Sequence, residues 1–258
     1  VEEDYIFSGL YPFAYPYYRQ FGYDICSQGR EYTIPIDMLK PFAKDFCSAK
    51  MHGSNDDLTV LKQLHQAHSE AYNLSLLRNK EQWRKLMGML QGDVSEAYND
   101  NNYRYVLYDA AAKANAYVMF RPESTNPAVM DPDMADLTMA VYDYGYLDKE
   151  GFYALLGFLY GFRGQYTSIR IDMPQDVDLM GILDEPKRIH CEISLHGQIR
   201  ILQVAKALEL MRHPEGEGTY SIAIQDDFLP CNTATYTVRY HNGIAYEVKK
   251  DAGQADMA

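Results

Sequence analysis

Apolar residues recur along this chain with two alternating periods, and the alternation predicts a mixed sheet flanked by helices. Helical spacing puts Leu58, Leu61, Leu64, His65, His68 and Tyr72 on one face of a helix over 57–73, which Asp56 and Asp57 open. A second helix over 80–90 carries Trp83, Leu86, Met87 and Leu90 on one side. A third, over 149–162, carries Phe152, Leu155, Leu156, Leu159 and Phe162. Period-two segments predict strands at 103–108 and 114–120, joined by a turn over 109–113, and further strands at 137–142, 168–173 and 189–194. A short helix at 179–183 precedes Pro186. Residues 40–57 read as a transition containing one short strand at 46–51, and the proline- and aspartate-rich residues 122–136 read as a loop.

Both ends of the chain follow a different grammar. Near the start, a strand signal at Tyr5-Ile6-Phe7 leads through Pro12 and Pro16 into a short aromatic helix that Gly22 stops. A strand over 26–36 follows, ending in a proline, with a turn at Gln28-Gly29. From Gln198 a strand-like run over 199–204 leads into a short helix at 205–211. Strands are then expected at 219–225, 235–240 and 244–249, the last two joined by the hairpin signal Asn242-Gly243. No helix pattern follows the last strand, so the reading leaves a three-stranded sheet with one open apolar face. Such a sheet is marginal, and this last part is expected to be cut short.

Composition narrows the function classes. A length of 258 residues allows one large domain or two to three small ones. Thirty-six acidic against twenty-four basic side chains give a net charge of −12, and no basic patch is visible; this argues against a nucleic-acid partner and suits cationic small molecules. No run of about eighteen apolar residues predicts a membrane span, and no signal peptide is visible. Cys26, Cys47, Cys191 and Cys231 are dispersed without C-x-x-C spacing, which speaks against a structural zinc and for a reducing cytoplasm. His65 and His68 lack acidic or cysteine partners at ligand spacing and read as core or interface histidines, so no metal is expected. Asp172, Asp176 and Asp178 miss the D-x-D-x-D-G calcium pattern and read as turn and cap residues. Most of the twenty-three tyrosines read as half-buried strand residues with wet hydroxyls.

Three stretches carry a resemblance. They are LYPFAYPYYRQFGYDI at 10–25, LLRNKEQW at 76–83, and QIRILQVAKAL at 198–208. In this order and spacing the chain resembles the Eis-type (enhanced intracellular survival) branch of the GCN5-related N-acetyltransferases. The resemblance implies an α+β architecture in three parts. Residues 1–40 would end an acetyltransferase domain, 41–194 would form a second acetyltransferase-like domain with a mixed sheet, flanking helices and no cofactor site, and 195–258 would start a sterol-carrier-protein-like domain. It also implies a cytoplasmic homo-oligomer that uses acetyl-coenzyme A as a substrate and needs no metal. Tyr18 takes the place of the family's tyrosine facing the thioester sulfur, and Tyr15 and Tyr18 would line the coenzyme A side. Without the resemblance, Tyr18 reads as one more core aromatic. A phenol of pKa about 10 lies close enough to a thiol of pKa about 8.5 to hand a proton to the departing thiolate. In the same terms Arg78 would tie its turn to a neighbouring carboxylate and Trp83 would pack.

Measured against the family, the Gly-rich pyrophosphate loop of the first domain and the C-terminal carboxylate that serves as base are missing. The chain, which also has no initiator Met, therefore reads as a fragment, expected to be inactive alone. The leading function is acetyl transfer to an amine of a cationic small molecule or of lysine. The alternatives are a non-catalytic binding or assembly fragment and, from the last part alone, a lipid carrier.

Overall fold

The computed structural model describes residues 5–53, 56–87, 102–124 and 137–251. In chain order the elements are β1 (Phe7–Leu10), α1 (Tyr15–Arg19), β2 (Asp24–Ile25), β3 (Gln28–Pro35), β4 (Ser48–Met51), α2 (Thr59–Ser69), α3 (Lys80–Leu86), β5 (Tyr103–Tyr108), β6 (Ala114–Ser124) and β7 (Leu137–Tyr146). They continue as α4 (Lys149–Tyr160), β8 (Ser168–Pro174), α5 (Leu179–Ile182), β9 (His190–Leu195), β10 (Gln198–Ile201), α6 (Val204–Leu210), β11 (Glu217–Ile224), β12 (Ala234–His241) and β13 (Ile244–Asp251). The chain divides into two units, one formed by Val1–Gln28 with Leu195–Ala258 and the other by Gly29–Ser194.

Among the described residues, the Gly29–Ser194 unit is built on a seven-stranded sheet in the order β4-β5-β6-β7-β8-β3-β9. Strand β6 shows why the sheet is covered on both sides. Its side chains alternate across the pleat. Ala116, Val118 and Phe120 meet α4 and its neighbours, while Tyr117 and Met119 join Leu61, Leu64, Trp83 and Met87 of the α2 and α3 layer. Phe120, Leu155 and Leu156 are almost completely buried, a contribution of about 1.5–3 kcal/mol each. The expected helix over 57–73 is shorter, at Thr59–Ser69, and of the one over 80–90 the described residues hold Lys80–Leu86. The capping box of Asn79 and Gln82 fixes the start of α3.

A 3-10 segment, Ile36–Lys44, follows β3 and turns Ile36, Met38, Leu39 and Phe42 inward. Helix α4 packs closely on it at Gly157, where a Cβ would stand 2.2 Å from the Phe42 carbonyl oxygen. Strand β3, which the sequence reading puts with the first domain, pairs antiparallel with β8 inside this sheet. Residues 88–90 of the expected second helix and 125–136 of the expected loop lie outside the described residues.

In the other unit β1, β10 and β2 form one sheet, with Gly9 opposite Ile199 and Ile25 opposite Gln198. Strands β11, β12 and β13 form a second, antiparallel sheet. The Asn242-Gly243 turn has φ +47 and +82 at its two positions, the left-handed pair that a two-residue hairpin demands. The expectation that this sheet lacks a helical cover is corrected. Val204 and Leu208 of α6, a helix that precedes the strands in the chain, pack with Tyr236 and Val238 of β12.

Candidate active site

The aromatic turn is a short device built by local rules. Pro16 sits in the first turn of α1, where its missing N–H is not needed. After Arg19 the chain closes through bonds from Phe21 N–H to the Tyr18 carbonyl (3.0 Å), Gly22 N–H to Arg19 (2.9 Å) and Tyr23 N–H to Tyr18 (3.3 Å). Gly22 has φ +79, a conformation that side chains with a Cβ rarely adopt. The turn leads into β2, and Asp24 at its start accepts from Arg19.

Among the described residues Tyr18 belongs to none of the hydrophobic clusters. It is half-buried, and its ring meets Phe13, Tyr17 and Tyr23 edge-on at centroid distances of 5.4, 5.1 and 6.1 Å. The Tyr23 hydroxyl is engaged with Ser8 Oγ at 2.7 Å. The Tyr18 hydroxyl has no hydrogen-bond partner among the described residues. Tyr15, also half-buried, lies three positions earlier on the same helix face. The turn is held from behind by Arg200 of β10, which donates through one terminal nitrogen to the Phe21 carbonyl and through the other to both carboxylate oxygens of Asp226, at 2.7 and 2.8 Å. Nothing in the local pattern around Arg200 marks this contact, which joins residues 179 positions apart.

In the Gly29–Ser194 unit the sequence-marked residues form a buried polar cluster. Arg78 grips Asp143 of β7 through two parallel bonds of 2.9 and 2.8 Å, so the expected carboxylate partner is Asp143. His65 Nδ1 stands 3.2 Å from both the Tyr117 hydroxyl and Arg78, and its Nε2 is 3.0 Å from the Leu76 carbonyl. Trp83 is 3% exposed and lies under the Arg78 guanidinium. Burial works against the charge of Arg78, but Asp143 outweighs it and raises the pKa. Burial, with the nearby Arg78 charge, pulls the imidazole of His65 below its usual range. Burial does the same to His68, which packs among Tyr72, Tyr144 and Tyr146. Among the described residues no three His, Cys, Asp or Glu side chains converge to hold a metal. Asp178 caps α5 through the Met180 N–H as expected, but Asp172 is a strand residue of β8 rather than a turn residue, and it accepts from Ser194.

These histidines carry a pH prediction. An unfolded histidine binds its proton near pH 6.5, and the folded values of His65 and His68 lie lower. Their contribution to stability is therefore complete above about pH 6.5 and is lost as the pH falls through their folded values. The unfolding midpoint should be flat near neutrality and drop between about pH 6.5 and 5, before most carboxylates titrate. A midpoint that stays constant over that window would show that both rings protonate freely in the fold.

The start of α4 bears on the expectation that this unit has no cofactor site of its own. Strands β7 and β8 run parallel, pair from Thr138 opposite Ser168 to Val141 opposite Ile171, and are paired no further. Beyond that point the Tyr144 hydroxyl donates to the Asp172 carbonyl at 3.0 Å. The helix that follows β7 opens with Asp148, which accepts from the Gly151 N–H at 2.8 Å, and carries Glu150 in its first turn. Two carboxylates occupy the end of the helix that a pyrophosphate would seek.

Residues 74–201 match a family model described as an acetyltransferase (GNAT) domain. The matched span, just under half of the chain, lies mostly in the Gly29–Ser194 unit and is similar to a GNAT acetyltransferase domain. No curated protein matches the chain. Among solved structures it is similar to a GCN5-related N-acetyltransferase from Anabaena variabilis ATCC 29413, with 22% identity, a TM-score of 0.75, and coverage of 99% of this chain and 61% of that one. It is also similar to a probable N-acyltransferase from Enterococcus faecalis V583, with 24% identity, a TM-score of 0.67 and coverage of 96% and 58%. Eis1 from Mycobacterium abscessus gives 20% identity, a TM-score of 0.70 and coverage of 97% and 60%. At these identities the likeness is one of fold. The chain spans about 60% of the length of these structures.

Proposed function

We propose that this chain is part of an Eis-type N-acetyltransferase that moves an acetyl group from acetyl-coenzyme A to an amine of a cationic small molecule or of lysine. One observation carries the reading. Tyr18 is half-buried, its ring is framed edge-on by three others and its hydroxyl is unpartnered among the described residues, on a turn tied down on both sides. A tyrosine serving only the core would be buried and its hydroxyl satisfied. In the proposed reaction the amine nitrogen attacks the thioester carbonyl, the carbon–sulfur bond breaks, and the Tyr18 phenol gives its proton to the departing sulfur. The amine proton leaves to a base outside Tyr18. Tyr15, on the same face, contributes to the coenzyme A side.

The reading places coenzyme A with α1 and not between β7 and β8, because Asp148 and Glu150 repel a pyrophosphate there. It treats α6 and β11–β13 as the start of a sterol-carrier-protein-like domain, and the whole protein as a cytoplasmic homo-oligomer. Those two carboxylates also favour a second reading, in which the GNAT span serves binding or assembly without catalysis.

Thiol release from acetyl-coenzyme A by the whole protein, measured across amines of rising positive charge, tests the proposal. Turnover should require an amine, and KM for cationic acceptors should rise with salt as screening weakens their attraction to a chain of net charge −12. Absence of amine-dependent release by folded protein across the whole panel would sink the catalytic reading and leave the second.

A further inference from the structure

The Arg200–Asp226 pair does more than an ordinary ion pair does. Arg200 is 6% exposed, and its two ends serve different segments. One terminal nitrogen donates to the Phe21 carbonyl, three residues beyond Tyr18, and the other to both oxygens of Asp226. The guanidinium lies flush against the turn, its nearer nitrogen 1.5 Å from where a Cβ on Gly22 would stand. A side chain at Gly22 would have to push this guanidinium aside.

Asp226 is anchored in turn. It accepts from the backbone N–H of Phe228 (3.1 Å) and Leu229 (2.8 Å) and from Asn232 Nδ2 (3.1 Å). Its own backbone is clasped by Thr233, whose hydroxyl accepts from the Asp226 N–H and donates to the Asp226 carbonyl. Phe228 completes the clamp. Its ring meets Phe21 edge-on at 5.9 Å and covers the Arg200 guanidinium at 5.3 Å. The loop between β11 and β12 thus reaches the aromatic turn through one planar cation and one ring.

We propose that Arg200 and Asp226 are positioning residues for Tyr18, fixing the direction of its phenol through the Phe21 carbonyl. The proposal rests on the acetyl-transfer reading of Tyr18. An arginine suits the task because its rigid fork serves two partners at once, whereas a lysine places a single point charge on a flexible stem. Proton transfer to a departing thiolate is sensitive to such placement, since a shift of about 1 Å can cost about a hundredfold in rate.

A double-mutant cycle in the whole protein tests this. Arg200→Lys, which keeps the charge, should lower kcat by about tenfold to a hundredfold and leave KM for acetyl-coenzyme A nearly unchanged. In a Tyr18→Phe background the same change should move kcat by less than about twofold, because the group it positions is gone. Asp226→Asn, close in shape, repeats the cycle from the other partner and carries the test if Arg200→Lys does not fold. Equal losses in both backgrounds would overturn the proposal while the reading of Tyr18 stands, and so would a parent-level kcat in Arg200→Lys. A Tyr18→Phe protein with parental kcat would instead overturn the reading of Tyr18, and the positioning role with it.

Discussion

Replacing Tyr18 by phenylalanine should lower kcat of the whole protein by about a hundredfold to ten-thousandfold, the usual worth of general acid catalysis. KM for acetyl-coenzyme A should change little. The substitution removes one oxygen and keeps the ring, so the edge-on contacts with Phe13, Tyr17 and Tyr23 survive. The hydroxyl makes no hydrogen bond to the described residues, so its loss orphans no buried partner. The proposed interaction with the sulfur arises only as the carbon–sulfur bond breaks, and an interaction confined to the transition state appears in kcat and not in ground-state binding. Steady-state kinetics of Tyr18→Phe beside the parent protein decides the matter. A kcat within about twofold of the parent lies far outside the expected range and would reduce Tyr18 to a packing aromatic.

The second large effect concerns stability. Asp143→Ala should cost about 3–5 kcal/mol, because it leaves the Arg78 guanidinium buried without its counter-charge. Only 9% of the Asp143 side chain and 19% of the Arg78 side chain reach solvent. His65, Tyr117 and Trp83, which also lie against Arg78, supply no negative charge in its place. The replacement of both partners together, Arg78→Met with Asp143→Leu, should be far milder, since no uncompensated charge remains. Urea denaturation followed by far-ultraviolet circular dichroism separates the cases. A loss of less than about 1 kcal/mol in Asp143→Ala would mean that the pair is as well solvated as a surface bridge.

What the residues determined on their own was local. The hairpin of β5 and β6 and that of β12 and β13 could be read because alternation and a turn of a few residues lie side by side in the chain. Asn242-Gly243 even specified the hand of its turn. Helix α4 announced itself through Phe152, Leu155, Leu156 and Leu159 on one face, and Gly22 marked the stop after α1. Arg78 was marked by its motif, but the identity of its carboxylate was not, since Asp143 lies 65 positions away on a strand chosen by sheet pairing. The 3-10 segment at Ile36–Lys44 stayed hidden because its pattern fits neither of the two periods and its apolar residues acquire meaning only under α4. The pairing of β1 with β10 and the grip of Arg200 on the aromatic turn were decided by tertiary structure alone. Turn chemistry and periodicity act over a few residues, whereas a buried guanidinium takes whichever carbonyl and carboxylate the folded backbone brings to it. The same limit applies to Tyr18. Its neighbours in sequence explain the helix that carries it, whereas Arg200 on the strand that returns at Gln198–Ile201 and Phe228 from the loop after β11 hold the turn that follows it.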